Sequence, residues 1–253
     1  MIENFKLYSS YYDLLYDDKD YKSESAYVDQ HIRNLLPEAR EILELGSGTG
    51  NHAAFLSGFG YVITGIERST EMLAIANAKH IAGFDAHNAD ITTFRLDKKY
   101  DAAISLFHSF CYITSNQDLI TAFRNISQHL KPGGVLAFDF WYAPAVLHHL
   151  PVSKTKIRQN DLLEITRRGE TTMFIDKNIA EVNYEIGVRD KRTSSYRVIT
   201  EKHPMRYFSI PEIDLLARQA GFEMVEFEEF LTNQPPTLES WSIFVVLKKT
   251  GSF

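Results

Sequence analysis

The sequence predicts an α/β fold, with seven strands in a mostly parallel sheet, helices on both faces, and a small antiparallel β insertion between the fifth strand and the last long helix. Three observations carry this expectation. An apolar strand at 41–45 runs straight into the glycine turn GSGTG and then a helical stretch. The strand–helix alternation recurs as far as residue 140, and from about 152 to 208 it gives way to alternating β-branched and charged residues.

Taken in order, Tyr27, Val28, Ile32, Leu35 and Leu36 fall at helical spacing over 20–36, and Pro37 ends that segment. The first strand spans 41–45, and NHAAFLSGFG after the glycine turn reads as a helix closed by glycine. A strand at 61–66, a helix at 69–80 and a weaker strand at 84–89 follow. Next come a strand at 100–106, a helix at 116–130 and, behind the KPGG turn, a strand at 135–140. Near-continuous apolar strands separated by helices are the pattern of a sheet covered on both faces. KTKIRQNDLLEITRRG and EVNYEIGVRDKRTSSYRVIT instead alternate as antiparallel strands with one wet face do, so an insertion is laid over the sheet. A helix at 210–220, a turn at Gly221 and strands at 222–230 and 242–247 complete the chain, the last hairpin closing one sheet edge.

Hydrophobic residues make up 44% and charged residues 24%, which suits a chain with a sizeable core, and no linker or repeat divides it. One domain over 1–253 is expected. A single cysteine, Cys111, excludes an intrachain disulfide. The N-terminal stretch has no basic-then-apolar pattern, and no run approaches the roughly 18 apolar residues of a membrane span. A cytoplasmic protein with no membrane partner is expected. A net charge of −6 with no basic stripe argues against a nucleic-acid partner.

ELGSGTGN, residues 44–51, is the strongest chemical signal. Glycine tolerates positive φ and carries no Cβ, so Gly46, Gly48 and Gly50 let peptide N–H groups approach a bound ligand. Glu67, about 20 residues on at the end of the second strand, sits where a carboxylate accepts ribose hydroxyls, with Arg68 beside it. A nicotinamide site shares these features, but its fingerprint needs G-x-G-x-x-G, whereas this turn reads G-S-G-T-G behind Glu44. Asp90 and Ile91, after the third strand, suit an adenine amino group and ring; Asp90 is equally suited to capping the turn ITTF.

The chain resembles a class I S-adenosylmethionine (SAM)-dependent methyltransferase, a Rossmann-like fold. The motifs are LELGSGTG, GIERSTEMLAIA, NADITTF, YDAAISLFHSFCYI and LKPGGVLAFDFW, in order and at normal spacing. More narrowly, YYDLLYDDKDY, GTGNH, TEML, FHSFCYI and the antiparallel insertion resemble bacterial N,N-dimethyltransferases acting on nucleotide-linked amino sugars. The resemblance implies SAM as cofactor, S-adenosylhomocysteine as product and a small-molecule acceptor. It also implies a helical lid over about 1–36, with Tyr16 and Tyr21 folding over the methionine end and Tyr16 close enough to act in catalysis. Met72 would pack on adenine, although its helical spacing with Ile75 also suits the core. Phe107, at the C-terminal end of the fourth strand, lies on the edge where open α/β sheets bind ligands. The Asn/Asp-Pro-Pro-aromatic run of amino-adenine and glutamine methyltransferases is replaced here by LFHSFCYI.

Methyl transfer to an amine needs the free base, so His108 and Tyr112, in the loop after the fourth strand, are the candidate proton acceptors. A packed, hydrogen-bonded His108 is the competing reading. Trp141 and Tyr142 can wall a sugar ring or cover the insertion's underside, and His203 is placed toward the active-site mouth. His148 and His149 lack a carboxylate or cysteine at ligand spacing, so no metal is expected. The insertion suits a substrate lid or a homodimer surface. A SAM-binding protein without turnover is the alternative of a different class.

Overall fold

The computed structural model describes residues 8–251. The N-terminal part of the expected lid, residues 1–7, lies outside that range. The elements run α1 (Ser9–Leu15), α2 (Tyr21–Leu35), β1 (Glu41–Leu45), α3 (Asn51–Gly58), β2 (Val62–Glu67), α4 (Thr70–Ala78), β3 (Phe84–Asn88) and β4 (Tyr100–Ser105). After a 3-10 turn at Ser109–Tyr112 come α5 (Asn116–His129), β5 (Leu130–Trp141), α6 (Ala143–His148), β6 (Lys154–Gln159), β7 (Leu163–Phe174), β8 (Ile179–Asp190) and β9 (Tyr196–Arg206). α7 (Ile210–Gln219), β10 (Phe222–Glu229) and β11 (Ser242–Lys249) complete the order.

The main sheet has the strand order β10-β11-β5-β4-β1-β2-β3. β1 to β5 are parallel, and β10 and β11 add an antiparallel hairpin beside β5. Winding outward from β1 in one direction and then starting again at β4 creates a switch point between their C-terminal ends, where open sheets bind ligands. Strand alternation explains the two cores. Leu136, Phe138 and Phe140 of β5 join Phe123, Ile126 and Ile213 from α5 and α7 on one face. Val135 and Ala137 join Val28, Ile32 and Leu56 from α2 and α3 on the other. β5 begins five residues earlier than the apolar pattern indicates. Tyr100 pairs with Leu130 and Ala102 with Val135, so residues 131–134 bulge, with Gly133 at a φ of 75°.

β6-β7-β8-β9 form a separate four-stranded antiparallel meander, as the alternation over 152–208 predicts. Its inner face, Ile165, Ile186, Val188 and Ile199, packs on Tyr8, Tyr11 and Leu15 of the N-terminal segment. Lys156 and Arg158 of β6 pair with Asp17 and Asp18 just beyond α1, at 2.7 Å for Lys156–Asp18 and 3.0 Å for Arg158–Asp17. The insertion therefore packs on α1, and β6 is tied by ion pairs to the residues just beyond it. Among the described residues no helix is long and apolar enough to cross a membrane.

Candidate cofactor and acceptor site

All three glycines of the loop adopt positive φ: 72° at Gly46, 54° at Gly48 and 77° at Gly50. They serve different ends. A Cβ on Gly46 would lie 2.7 Å from Ser109 Cβ, and one on Gly50 2.9 Å from Ile81, whereas one on Gly48 would meet nothing within 4 Å. Gly46 and Gly50 allow close packing, and Gly48 leaves an open backbone face. Beneath the loop, Glu67 accepts from the Gly48 amide at 2.9 Å and the Ser69 amide at 2.7 Å. Burial raises its pKa and those two amides oppose the rise. Glu44 is 2% exposed, and its Oε2 has no hydrogen-bond partner among the described residues. Burial, and then the charge of Glu67, push its carboxyl up to about 8.

The N-terminal segment is pinned to this loop by Asp13 of α1, which the sequence reading missed. Asp13 Oδ1 accepts from Thr49 Oγ1 at 2.6 Å and Asn51 Nδ2 at 3.1 Å, and Oδ2 pairs with Lys79 at 2.8 Å. Lys19 and Glu24, next to and within α2, form a second tie. Glu24 Oε2 lies 2.8 Å from His52 Nε2 while Lys19 pairs with the same carboxylate. The Lys19 ammonium lies 4.0 Å from the Phe107 ring centroid, and Tyr21 packs edge-on against His52.

At the end of β4, Phe107 and His108 both have a φ of 59°, a region that side chains other than glycine rarely adopt. Asp139 of β5, 1% exposed, holds this bend. Its Oδ1 accepts from the His108 amide at 3.0 Å, and its Oδ2 lies 3.2 Å from His108 Nε2. His108 Nε2 is also 3.0 Å from Ser242 Oγ. Burial lowers the His108 pKa against the pull of Asp139. Of the two readings open for His108, this geometry favours the packed, hydrogen-bonded one, because its Nε2 is turned toward β5 and β11.

Tyr16 meets Phe107 at right angles, with centroids 5.0 Å apart, and Tyr12 at 4.8 Å. Arg167 of β7 donates to the hydroxyls of Tyr8 and Tyr16, both at 2.7 Å, and stacks 4.6 Å over Tyr184. Tyr112 Oη lies 2.8 Å from Nδ1 of His203. His203 is 1% exposed, so it stands behind Tyr112 and not at the mouth where the sequence put it. Trp141 is half-buried, 6.0 Å from His108 and 5.9 Å from Trp241, an aromatic that the sequence reading missed. Tyr142 packs on the main core and pairs with Phe208, so it lies beside the wall formed by Trp141. Met72 is buried next to the cap of α4. Asp90 does cap its turn, accepting from Thr92 N at 2.8 Å, and its other oxygen sits 3.7 Å from Arg68; Ile91 is half-buried beside it.

An open glycine backbone at a sheet switch point, the carboxylates of buried Glu44 and half-buried Glu67 beside it and a cluster of aromatic rings from α1 and the β4 edge define a class: α/β enzymes that bind an adenosyl cofactor. Comparison with known proteins narrows the class. A family profile described as a methyltransferase domain matches residues 20–227. The dTDP-3-amino-3,4,6-trideoxy-alpha-D-glucopyranose N,N-dimethyltransferase of Streptomyces venezuelae is 30% identical over 215 residues, 84% of each chain. The putative methyltransferase YqeM of Bacillus subtilis is 25% identical over 96% of each. The fold matches that of a SAM-dependent methyltransferase from Clostridium acetobutylicum with a TM-score of 0.80, at 23% identity, over 97% of this chain and 98% of that one. The chain belongs to the methyltransferase-domain family and is a SAM-dependent enzyme. Its residues fit that cofactor, since Glu44 Oε2 is a buried polar atom without a partner among the described residues and no atom stands over the Gly48 Cα.

Proposed function

We propose that this enzyme transfers a methyl group from SAM to the amino group of a nucleotide-linked sugar. Bound SAM supplies a methyl group already activated by its sulfonium. Glu67, Glu44 and the 46–50 backbone would hold the cofactor, with Arg68, Met72, Asp90 and Ile91 at its adenosine end and Tyr16, Tyr21 and Phe107 at its methionine end. The observation that carries the acceptor reading is the tyrosine wall between α1, the β4 edge and the insertion: Tyr12, Tyr16, Tyr112 and Tyr184, joined to Phe107. Rings with polar tips suit the C–H faces and hydroxyls of a sugar and exclude water from the reacting nitrogen. Trp141 extends that wall. The similarity to a dTDP-amino-sugar N,N-dimethyltransferase supports the same acceptor class.

His108 would position the Phe107–His108 bend, while Tyr112 faces the acceptor. The enzyme would act in the cytoplasm as one domain, without nucleic acid, and the insertion's outer face, with exposed Ile157, Tyr196 and Val198, would pair two copies. Light scattering reads that pairing directly, and a monomer at micromolar concentration rules it out.

The test of function is product mass after incubation with SAM and a panel of dTDP-linked 3-amino and 4-amino sugars, the free amino sugars and simple amines. Addition of one or two methyl groups to a dTDP-linked sugar is expected. Turnover of simple amines alone would refute the acceptor.

A further inference from the structure

We propose that Tyr112, His203 and Glu201 form a proton relay, in which Tyr112 takes the proton from the acceptor amine and His203, oriented by Glu201, receives the proton of Tyr112. This rests on the amine acceptor proposed above. Glu201 has no part in the reading of the site given so far.

The relay follows from strand alternation. Along β9, Ile199, Glu201 and His203 share the inner face of the insertion, and their partners on the neighbouring strands are Ile186, Tyr184 and Val182. The inner face is thus aliphatic where it covers α1 and turns polar and aromatic where it reaches the β4 edge. Tyr112, the last residue of the 3-10 turn after β4, meets it there. His203 Nδ1 lies 2.8 Å from Tyr112 Oη, and His203 Nε2 lies 3.1 Å from Glu201 Oε2.

These contacts set the direction of transfer. A carboxylate only accepts, so Nε2 of His203 carries hydrogen and Nδ1 offers its lone pair. Tyr112 then donates its own hydroxyl proton to Nδ1. Burial holds the Tyr112 phenol well above its ordinary pKa, so a standing phenolate is disfavoured, and the phenol can accept a proton only by passing its own onward. In the proposed step the N–H bond of the acceptor ammonium breaks as a new O–H bond forms on Tyr112. The original Tyr112 O–H bond breaks as Nδ1–H forms. The nitrogen keeps its lone pair, and the resulting imidazolium is balanced by the Glu201 carboxylate. After the product leaves, return of the Nδ1 proton to Tyr112 and of a Tyr112 proton to solvent in the emptied acceptor site resets the relay.

Several other groups face the relay. Tyr8, which precedes α1, packs 5.8 Å from the His203 ring and donates its amide to Glu201 Oε1 at 3.3 Å. Tyr12 and Tyr16 approach from the lid, Tyr184 of β8 lies 5.0 Å from His203 with Arg167 of β7 over it, and Cys111 lies beside Tyr112. Arg167 is a cation among these described neighbours, and it donates hydrogen bonds to Tyr8 and Tyr16.

Two measurements test the relay. In the enzyme alone, 15N NMR of the histidine rings should show His203 as the Nε2–H tautomer, with its Nδ1 resonance shifted in Tyr112→Phe. Kinetically, Tyr112→Phe should lower kcat about 10²- to 10⁴-fold at pH 7, with the deficit shrinking as pH rises toward the amine's own pKa and SAM affinity unchanged. Glu201→Gln should lower kcat less and retain the Tyr112 hydrogen bond. An Nδ1–H tautomer, or a wild-type kcat and pH profile in Tyr112→Phe, overturns the relay and leaves the acceptor reading intact. The same variant effects on a simple amine, with no turnover of nucleotide-linked sugars, support the relay and overturn the sugar.

Discussion

Glu44→Gln should make the ligand-free enzyme more stable at high pH while leaving its stability near pH 5 almost unchanged. Glu44 is buried on β1, and its pKa rises from 4.5 to about 8, by burial first and then by the charge of Glu67. A carboxyl whose folded pKa lies above its unfolded value favours the folded state while protonated. Its contribution is fully present below the unfolded pKa and is lost as pH rises through the folded one. The window therefore runs from about pH 4.5 to pH 8. At ~1.4 kcal/mol per unit, the stability lost across it is on the order of 5 kcal/mol. Glutamine keeps the size of the side chain and removes the titration. Urea unfolding of both proteins at pH 5, 7 and 9 should show the variant gaining on the wild type with each step. A wild-type/variant difference that stays constant with pH would refute the reasoning.

Four further substitutions separate the parts of the site. Glu67→Ala should weaken SAM binding by about 1.5–3 kcal/mol, the worth of hydrogen bonds to a charged group, as titration calorimetry would show; unchanged affinity removes Glu67 from the cofactor site. Gly46→Ala should unfold at a lower temperature than Gly48→Ala. Both place a side chain at positive φ, a cost of ~1–2 kcal/mol, but only at Gly46 does the new Cβ fall 2.7 Å from Ser109. Equal melting temperatures would contradict the packing at Gly46. Arg167→Leu removes the donor shared by Tyr8 and Tyr16, so amide exchange across 9–18 should accelerate and the KM for SAM should rise. Unaltered exchange would mean that the salt links to Asp17 and Asp18 hold the lid by themselves.

The main sheet and the insertion were legible because each depends on local periodicity. β1 to β4 lie within a residue or two of their apolar runs, and the alternation over 152–208 became the meander. The bulged start of β5 was not, since KPGG reads as a turn whether or not the neighbouring strand pairs across it. On the cofactor side, Gly46, Gly48, Gly50, Glu44 and Glu67 stood out because turn chemistry and strand ends confine them to one place. Asp13 carried no such mark. An acidic residue among tyrosines on a short helix has no visible role until Thr49, Asn51 and Lys79 are brought to it. Glu201 was concealed in the same way, although its two-residue spacing from His203 along a strand is the one local hint that both share a face.

His108 and His203 show why residue type could not settle the proton acceptor. Each is a histidine with a carboxylate partner and little exposure, near the C-terminal edge of β4. His108 comes from that edge, and its Nε2 is taken by Asp139 and Ser242 of neighbouring strands in the same sheet, so the ring braces a bend with two successive positive-φ residues. His203 comes from the insertion and uses its Nδ1 for a hydroxyl on the main sheet's side. A ring whose partners all belong to one sheet stiffens that sheet, whereas His203 joins the insertion, through Glu201, to Tyr112 on the main sheet's side. Proton transfer through Tyr112 as proposed therefore needs the insertion seated against the turn that follows β4.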